Sequence, residues 1–430
     1  MSSFCKVLLS RIAYLRCRML AWAILILPAV NIVPAFADVD SLHFSGFGTL
    51  AYARNNQKNI SPLRDVTQSV VSVTSIDSWV LDSRLGMQLE YNISTSADFV
   101  GQVVLRDKFH ANFNNSTELA YVAIRPHSNL DLRLGRISYD AFLMSEYRDV
   151  SFVQPWVRPP SEFYGWLPIF SVNGADGAYS FQSDEASWRI KAQAGSSKAS
   201  IPIGAGYDLR ADNLFGVSIT RQSDSLRLKA AYSQWRTGSE PSAFTPLHQG
   251  LDAVATAAIP GVSAEAADLR RNLSFKDSKI SYLTVGAAFD DGVWLAQGEL
   301  GLSTSTAAVV PHGIVAYVSV GHNFGDWMPY LMLSSSLPSN DLRSATNDWG
   351  TVSANGLRDS ALFTVNATRI EQETASIGTR FQLHPKATFK LQWDNTTIKP
   401  SGYGLWWRSI AINNQITRVN LISTSLDFIF

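Results

Sequence analysis

The sequence predicts an all-β protein: a transmembrane antiparallel β-barrel of about 16 strands. Three observations predict it. The chain ends on Ile422-Ser423-Thr424-Ser425-Leu426-Asp427-Phe428-Ile429-Phe430, where Ile422, Leu426, Phe428 and Phe430 share one parity and Ser423, Ser425 and Asp427 the other. A period of two is that of a strand with one apolar and one polar face. Termini usually fray, so an amphipathic terminal strand points to a barrel that needs its last strand for closure. At the other end, Lys6, Arg11, Arg16 and Arg18 precede the apolar run Met19 to Val30, and Ala35-Phe36-Ala37 offers a cleavage site. That is the layout of a secretory signal peptide over 1–37. Its apolar run is shorter than the ~20 residues of a spanning helix. Third, alternating segments of about ten residues fill 38–430, joined by connections that are alternately short and long.

The opening strand sets Leu42, Phe44, Gly46, Gly48, Leu50 and Tyr52 on one face. The second is expected over Ser78 to Asn92, with Trp79, Leu81, Leu85, Met87, Leu89 and Tyr91 together. A Ser94-Thr95-Ser96 turn leads to Phe99, Gly101, Val103 and Leu105, then to a strand over Glu118 to Arg125 whose facing is ambiguous. After Pro126-His127-Ser128-Asn129 come Leu130, Leu132 and Leu134, and then a long loop, 138–172. Downstream hairpins are expected at 173–183 with 186–195, 213–222 with 225–236, 279–289 with 293–302, 313–324 with 327–335, and 373–383 with 387–398. A last strand lies near 418–430. The rhythm makes seven tight turns on one rim and eight longer loops on the other. One of these, Thr237 to Asp277, is alanine-rich and helix-prone, broken at Pro260-Gly261, which fits either a short surface helix or a second constriction.

Both cysteines, Cys5 and Cys17, fall in the predicted signal, so the mature chain has no thiolate site. The signal also takes four basic residues, which leaves 32 basic against 36 acidic, a net charge of −4. That balance does not suggest nucleic-acid binding. The seven histidines are scattered, and no HExxH or Gly-x-Ser-x-Gly motif occurs. No catalytic role, metal or cofactor is expected.

The mature chain resembles the general porins of Gram-negative bacteria, and among them the poorly characterised porin-like members. The residues behind the resemblance are the signal peptide, Phe44-Ser45-Gly46-Phe47-Gly48, Leu132-Arg133-Leu134-Gly135-Arg136 before the third loop, the segment from Tyr147-Arg148-Asp149 to Tyr164-Gly165-Trp166, and Phe430. It implies an outer-membrane homotrimer, each subunit a water-filled pore narrowed by an inward third loop. It also implies contact with outer-membrane lipid and lipopolysaccharide, and Phe430 as a signal read by the barrel assembly machinery. The loop departs from the acidic third loop of the best-known members, so selectivity does not carry over.

The loop itself argues for an inward path. It holds seven aromatics between Phe142 and Trp166 and four prolines. Prolines restrict the backbone, and so many aromatics are costly in water. Folded inward, it would bring Glu146, Arg148, Asp149, Arg158 and Glu162 to the constriction; the alternative is an extracellular loop packed on its neighbours or on a second subunit. Strand parity assigns Arg84, Arg106, Lys108, Arg133, Arg189, Lys191, Arg227, Lys229, Arg380 and Lys390 to the lumen, with Asp82, Glu90, Asp131, Glu299 and Asp394. This wall is net basic. The function expected is passive diffusion of small hydrophilic solutes. The alternative is a non-conducting barrel used for adhesion or structure.

Overall fold

The computed structural model describes residues 41–69, 76–183, 185–203, 206–408 and 415–430. The expected signal peptide and Asp184 of one expected turn lie outside them. Sixteen strands form one closed antiparallel barrel: β1 (Leu42–Asn55), β4 (Arg84–Ser94), β5 (Ala97–Arg106), β6 (Thr117–His127), β7 (Leu130–Ser138), β8 (Ser171–Ser183), β9 (Ala186–Ile201), β10 (Tyr207–Gln222), β11 (Leu226–Thr237), β12 (Lys279–Asp290), β13 (Trp294–Ser305), β14 (Gly313–His322), β15 (Trp327–Pro338), β16 (Ile370–His384), β17 (Ala387–Tyr403) and β19 (Thr417–Ile429). Three short strands are additional: β2 (Ile60–Pro62), β3 (Asp77–Ser78) and β18 (Trp406–Arg408).

Each barrel strand pairs with its sequence neighbour, and β19 returns to β1 with Phe47 opposite Ile429 and Asn55 opposite Leu421. Closure satisfies the edge groups that an open sheet would leave bare in a bilayer. Gly46 and Phe430 exchange both backbone hydrogen bonds at 3.0 Å, on the short-turn rim. There Gly46 and Gly48 have a packing role. A Cβ on either would stand 2.2 Å from the ring of Phe430 or Phe428, so the terminal aromatics lie directly on bare backbone.

Parity separates the two faces as the sequence predicts. Leu50, Leu134, Ile190, Val285, Leu300, Val318, Leu331, Ile377, Leu391 and Ile422 are exposed on the outside. Ser423, Ser425 and Asp427 are buried on the inside.

Where the expected boundaries differ, the backbone explains why. The second strand begins at Arg84, because 79–83 turns away from the sheet; Trp79 then packs at a tilt on Tyr52 and Leu81 is buried with Ala53 and Leu421. Only β3, paired to Ala53 and Arg54, remains of its expected start. The ambiguous β6 carries a register shift against β5. Similarly, β9 and β10 extend to Ile201 and back to Tyr207, because a bulge at Asn213 (φ 53°) reverses parity and hides the continuation.

On the long-loop rim, 238–278 holds two helices, Thr245–Thr256 and Val262–Asn272, separated at Gly261 (φ 75°). A third helix, Asn355–Ala367, was not foreseen in the sequence. These helices and the 307–309 segment share an apolar cluster around Leu251, Leu269, Trp349 and Val365. On the other side of the rim, β2 and β18 form a ribbon that ties the first long loop to the last.

Candidate functional site: the third loop and the inner wall

Strand β7 ends at Ser138 and β8 begins at Ser171, so the third loop spans 139–170. It follows an irregular path with one short 3-10 turn (Ser151–Val153) and one helical turn (Ser161–Tyr164). Phe142, Trp156, Phe163, Tyr164 and Trp166 are buried against the inward residues Trp235, Tyr282, Val315, Tyr317, Tyr330 and Met332. The rings meet edge to face, Trp156 on Tyr317 at 5.8 Å and Trp166 on Tyr282 at 5.2 Å, a favoured arrangement of ring quadrupoles.

Polar groups of the loop are bonded to the same half of the wall. Trp156 Nε1 donates to Ser319 Oγ at 2.9 Å, and the Leu143 amide donates to Glu299 at 2.8 Å. Glu299 also accepts from Tyr164 and, at 2.8 Å, from Tyr317. Lys390 Nζ donates to Ser151 O at 2.5 Å and pairs with Asp427 at 3.0 Å.

Arg158 and Glu162 belong to this anchored side. Arg158 is buried against Asp82, Asp394 (3.6 Å) and Ser423 (3.3 Å). Glu162 is buried and accepts from Ser334 (2.8 Å), Gln372 (2.6 Å) and Thr374. Both therefore act as tethers and do not present charge to a passage. Arg380 stands apart, 5.7 Å from the Phe152 ring and bonded to Gln382.

The opposite half of the wall is charged. Arg84 faces Asp149 at 3.4 Å. Arg106 pairs with Asp65 at 2.6 Å, with Asp149 next at 3.8 Å. Arg133 binds Asp176 at 2.6 Å and Glu146 at 3.4 Å. Lys191 lies 3.3 Å from Asp176, and Lys229 pairs with Asp140. Glu146 keeps 59% of its side chain exposed, so water reaches the interior here. Arg148 bonds the carbonyls of Ile169 (3.4 Å) and Tyr164 and stacks 3.9 Å over Phe170.

The loop charges respond to these partners. Burial by itself would raise the carboxyls of Asp65, Asp140 and Asp149. The guanidiniums of Arg106 and Arg84 and the ammoniums of Lys229 and Lys191 outweigh it and hold all three below the ordinary carboxylate range. Burial lowers Arg148 to about 10.

The sequence tally of lumen charges needs correcting. It left out Asp65, Glu118, Asp140, Asp176 and Asp427, all buried and paired with basic residues of the wall. Asp176 and Asp427 stand at inward parity and were readable. Asp65 and Asp140 lie on loops, where parity carries no signal.

No family model and no curated protein matches the sequence. Solved structures do match. An anion-selective porin from Comamonas acidovorans is 11% identical over 91% of this chain and 99% of its own, with a TM-score of 0.52. The outer-membrane channel DcaP of Acinetobacter baumannii is 10% identical over 93% and 100%, at 0.50. Salmonella typhi OmpF, in complex with daunomycin, is 11% identical over 90% and 97%, also at 0.50. The fold is that of the sixteen-stranded porins. At such identity the porin likeness extends to architecture and leaves the wall and loop chemistry to be read from this chain alone.

Proposed function

We propose that this chain is a porin-type channel of a Gram-negative outer membrane, passing small hydrophilic solutes by diffusion. One observation carries this reading: inside an apolar-skinned barrel, Glu146, Arg189 and Asp131 remain open to water along the charged half of the wall. Charges in water line a passage; sealed ones only hold structure. The passage would run between the third loop and β4 to β9. The proposal includes export on a signal peptide ending at Ala37 and recognition of Phe430 by the assembly machinery. It also includes homotrimers embedded in lipid and lipopolysaccharide. Stepwise conductance of purified protein in planar bilayers tests it, and the absence of steps from well-folded barrel would overturn it.

A non-conducting barrel is the second reading. It is favoured by the reach of the loop, whose side chains bond inward residues from Arg84 on β4 round to Ser423 on β19. The same recording decides between the two.

A further inference from the structure

Beside the third loop, the long-loop end of the wall leaves a small cleft of about 60 Å³ between the 107–116 loop, Phe170 and the end of β9. Arg106 lines it with 4% of its side chain exposed. Its Nη1 donates to Asp65 at 2.6 Å, while among the described residues Nε and Nη2 have no hydrogen-bond partner. The nearest other carboxylates are Asp149, 3.8 Å from Nε, and Glu118, 4.0 Å from Nη2. Both are beyond hydrogen-bond reach. The Nε and Nη2 donors lie side by side on one edge of the guanidinium. That edge matches the paired oxygens of a carboxylate or phosphate.

Arg84, Arg106, Lys108 and Arg148 stand among Asp65, Asp107, Glu118 and Asp149, so the charges of the cluster balance. The orientation is held in part by Phe170, whose ring carries the Arg106 guanidinium at 4.1 Å and that of Arg148 at 3.9 Å. A buried donor without an acceptor is unfavourable, and the paired oxygens of an oxyanion would satisfy this edge.

We propose that this cleft captures a small oxyanion, a monocarboxylate or a phosphate, on the Nε/Nη2 edge of Arg106. The inference deepens the channel reading by naming a solute class, and it rests on that reading only for the purpose of capture. Binding itself needs no conduction.

The test is equilibrium titration of detergent-folded, lipopolysaccharide-free protein with inorganic phosphate and, separately, with acetate. Saturable binding of either supports the site. The double variant Asp65→Asn/Arg106→Gln removes an ion pair together and avoids a stranded buried charge; heat-modifiable migration on gels checks its fold. It should weaken binding about tenfold or more, the worth of a charge-assisted hydrogen-bond pair. Arg271→Gln, which removes an exposed charge paired to Asp268 on the Val262–Asn272 helix, should leave affinity within about twofold. No saturable binding by the natural protein overturns the proposal. So does an equal loss in both variants, which would mean diffuse charge attraction. Conductance is recorded on the same preparation. Binding without conduction would keep the site and remove the channel; conduction without binding would do the reverse.

Discussion

The two halves of the inner wall hold the same loop by different physics. From β11 to β17 the loop is held by rings, with Trp156, Phe163 and Tyr164 packed on Tyr317 and Tyr282. From β4 to β9 it is met by ions, Asp149 to Arg84 and Glu146 to Arg133. Packed rings answer to shape and are indifferent to salt and pH. Ion pairs in a wet interior answer to both and gain little net stability. A loop clamped on one side and charge-balanced on the other is steady in position, yet electrically adjustable where solute would pass.

The strongest way to break this contrast is to remove the clamped segment. Deleting Phe152 to Tyr164 should raise single-channel conductance several-fold, since area opens where rings were packed, with the barrel still heat-modifiable. Unchanged conductance would mean that the loop does not narrow the passage.

Next is Trp156→Ala. It removes a wholly buried ring and its bond to Ser319. A loss of about 3–5 kcal/mol in denaturant unfolding is expected, the same at low and high salt. On the ionic side, the double variant Arg84→Met/Asp149→Leu replaces a pair by apolar groups and should be near neutral or slightly stabilising. A large cost there and a small one at Trp156 would invert the comparison.

A smaller effect is selectivity. Arg106→Ser with Arg133→Ser removes two wall charges and should move the zero-current potential toward cations. The shift should fade as the screening length falls from ~30 Å at 0.01 M to ~3 Å at 1 M salt. An unshifted potential would mean that solutes do not pass along this half.

The smallest effect is pH. The folded values of Asp65, Asp140 and Asp149 lie below the ordinary one. Their contribution is therefore complete above the unfolded value near ~3.9 and is lost only as pH falls through the folded values. These three carboxylates should therefore give conductance no step from pH 7 to about 5. A step in that range would point to a different titrating group at the passage.

Much of this was legible in the sequence, because a barrel writes its structure in period two. The inward Ser423, Ser425 and Asp427, the outward Phe428 and the position of the third loop all follow from alternation. What failed did so where alternation stops. A bulge at Asn213 hid the first turns of β10, and a break at 79–83 swung Leu81 inward. Ion partners drawn from loops, such as Asp65 for Arg106, depend on contacts across 41 residues that no local pattern encodes. Arg158 and Glu162 looked like free charges for the same reason, since their tethers Asp82, Ser334 and Gln372 lie far off in the chain.

The ribbon of β2 and β18 has an evolutionary consequence. It sits on the two loops that flank the β1–β19 closure, pairing Ile60 with Arg408 and Pro62 with Trp406. Loops of a barrel are ordinarily free to lengthen or shorten one at a time. These two are not, because an insertion in one shifts its register against the other and strands the buried Trp406 and Ile60. Drift in the first and last loops should therefore be correlated in length.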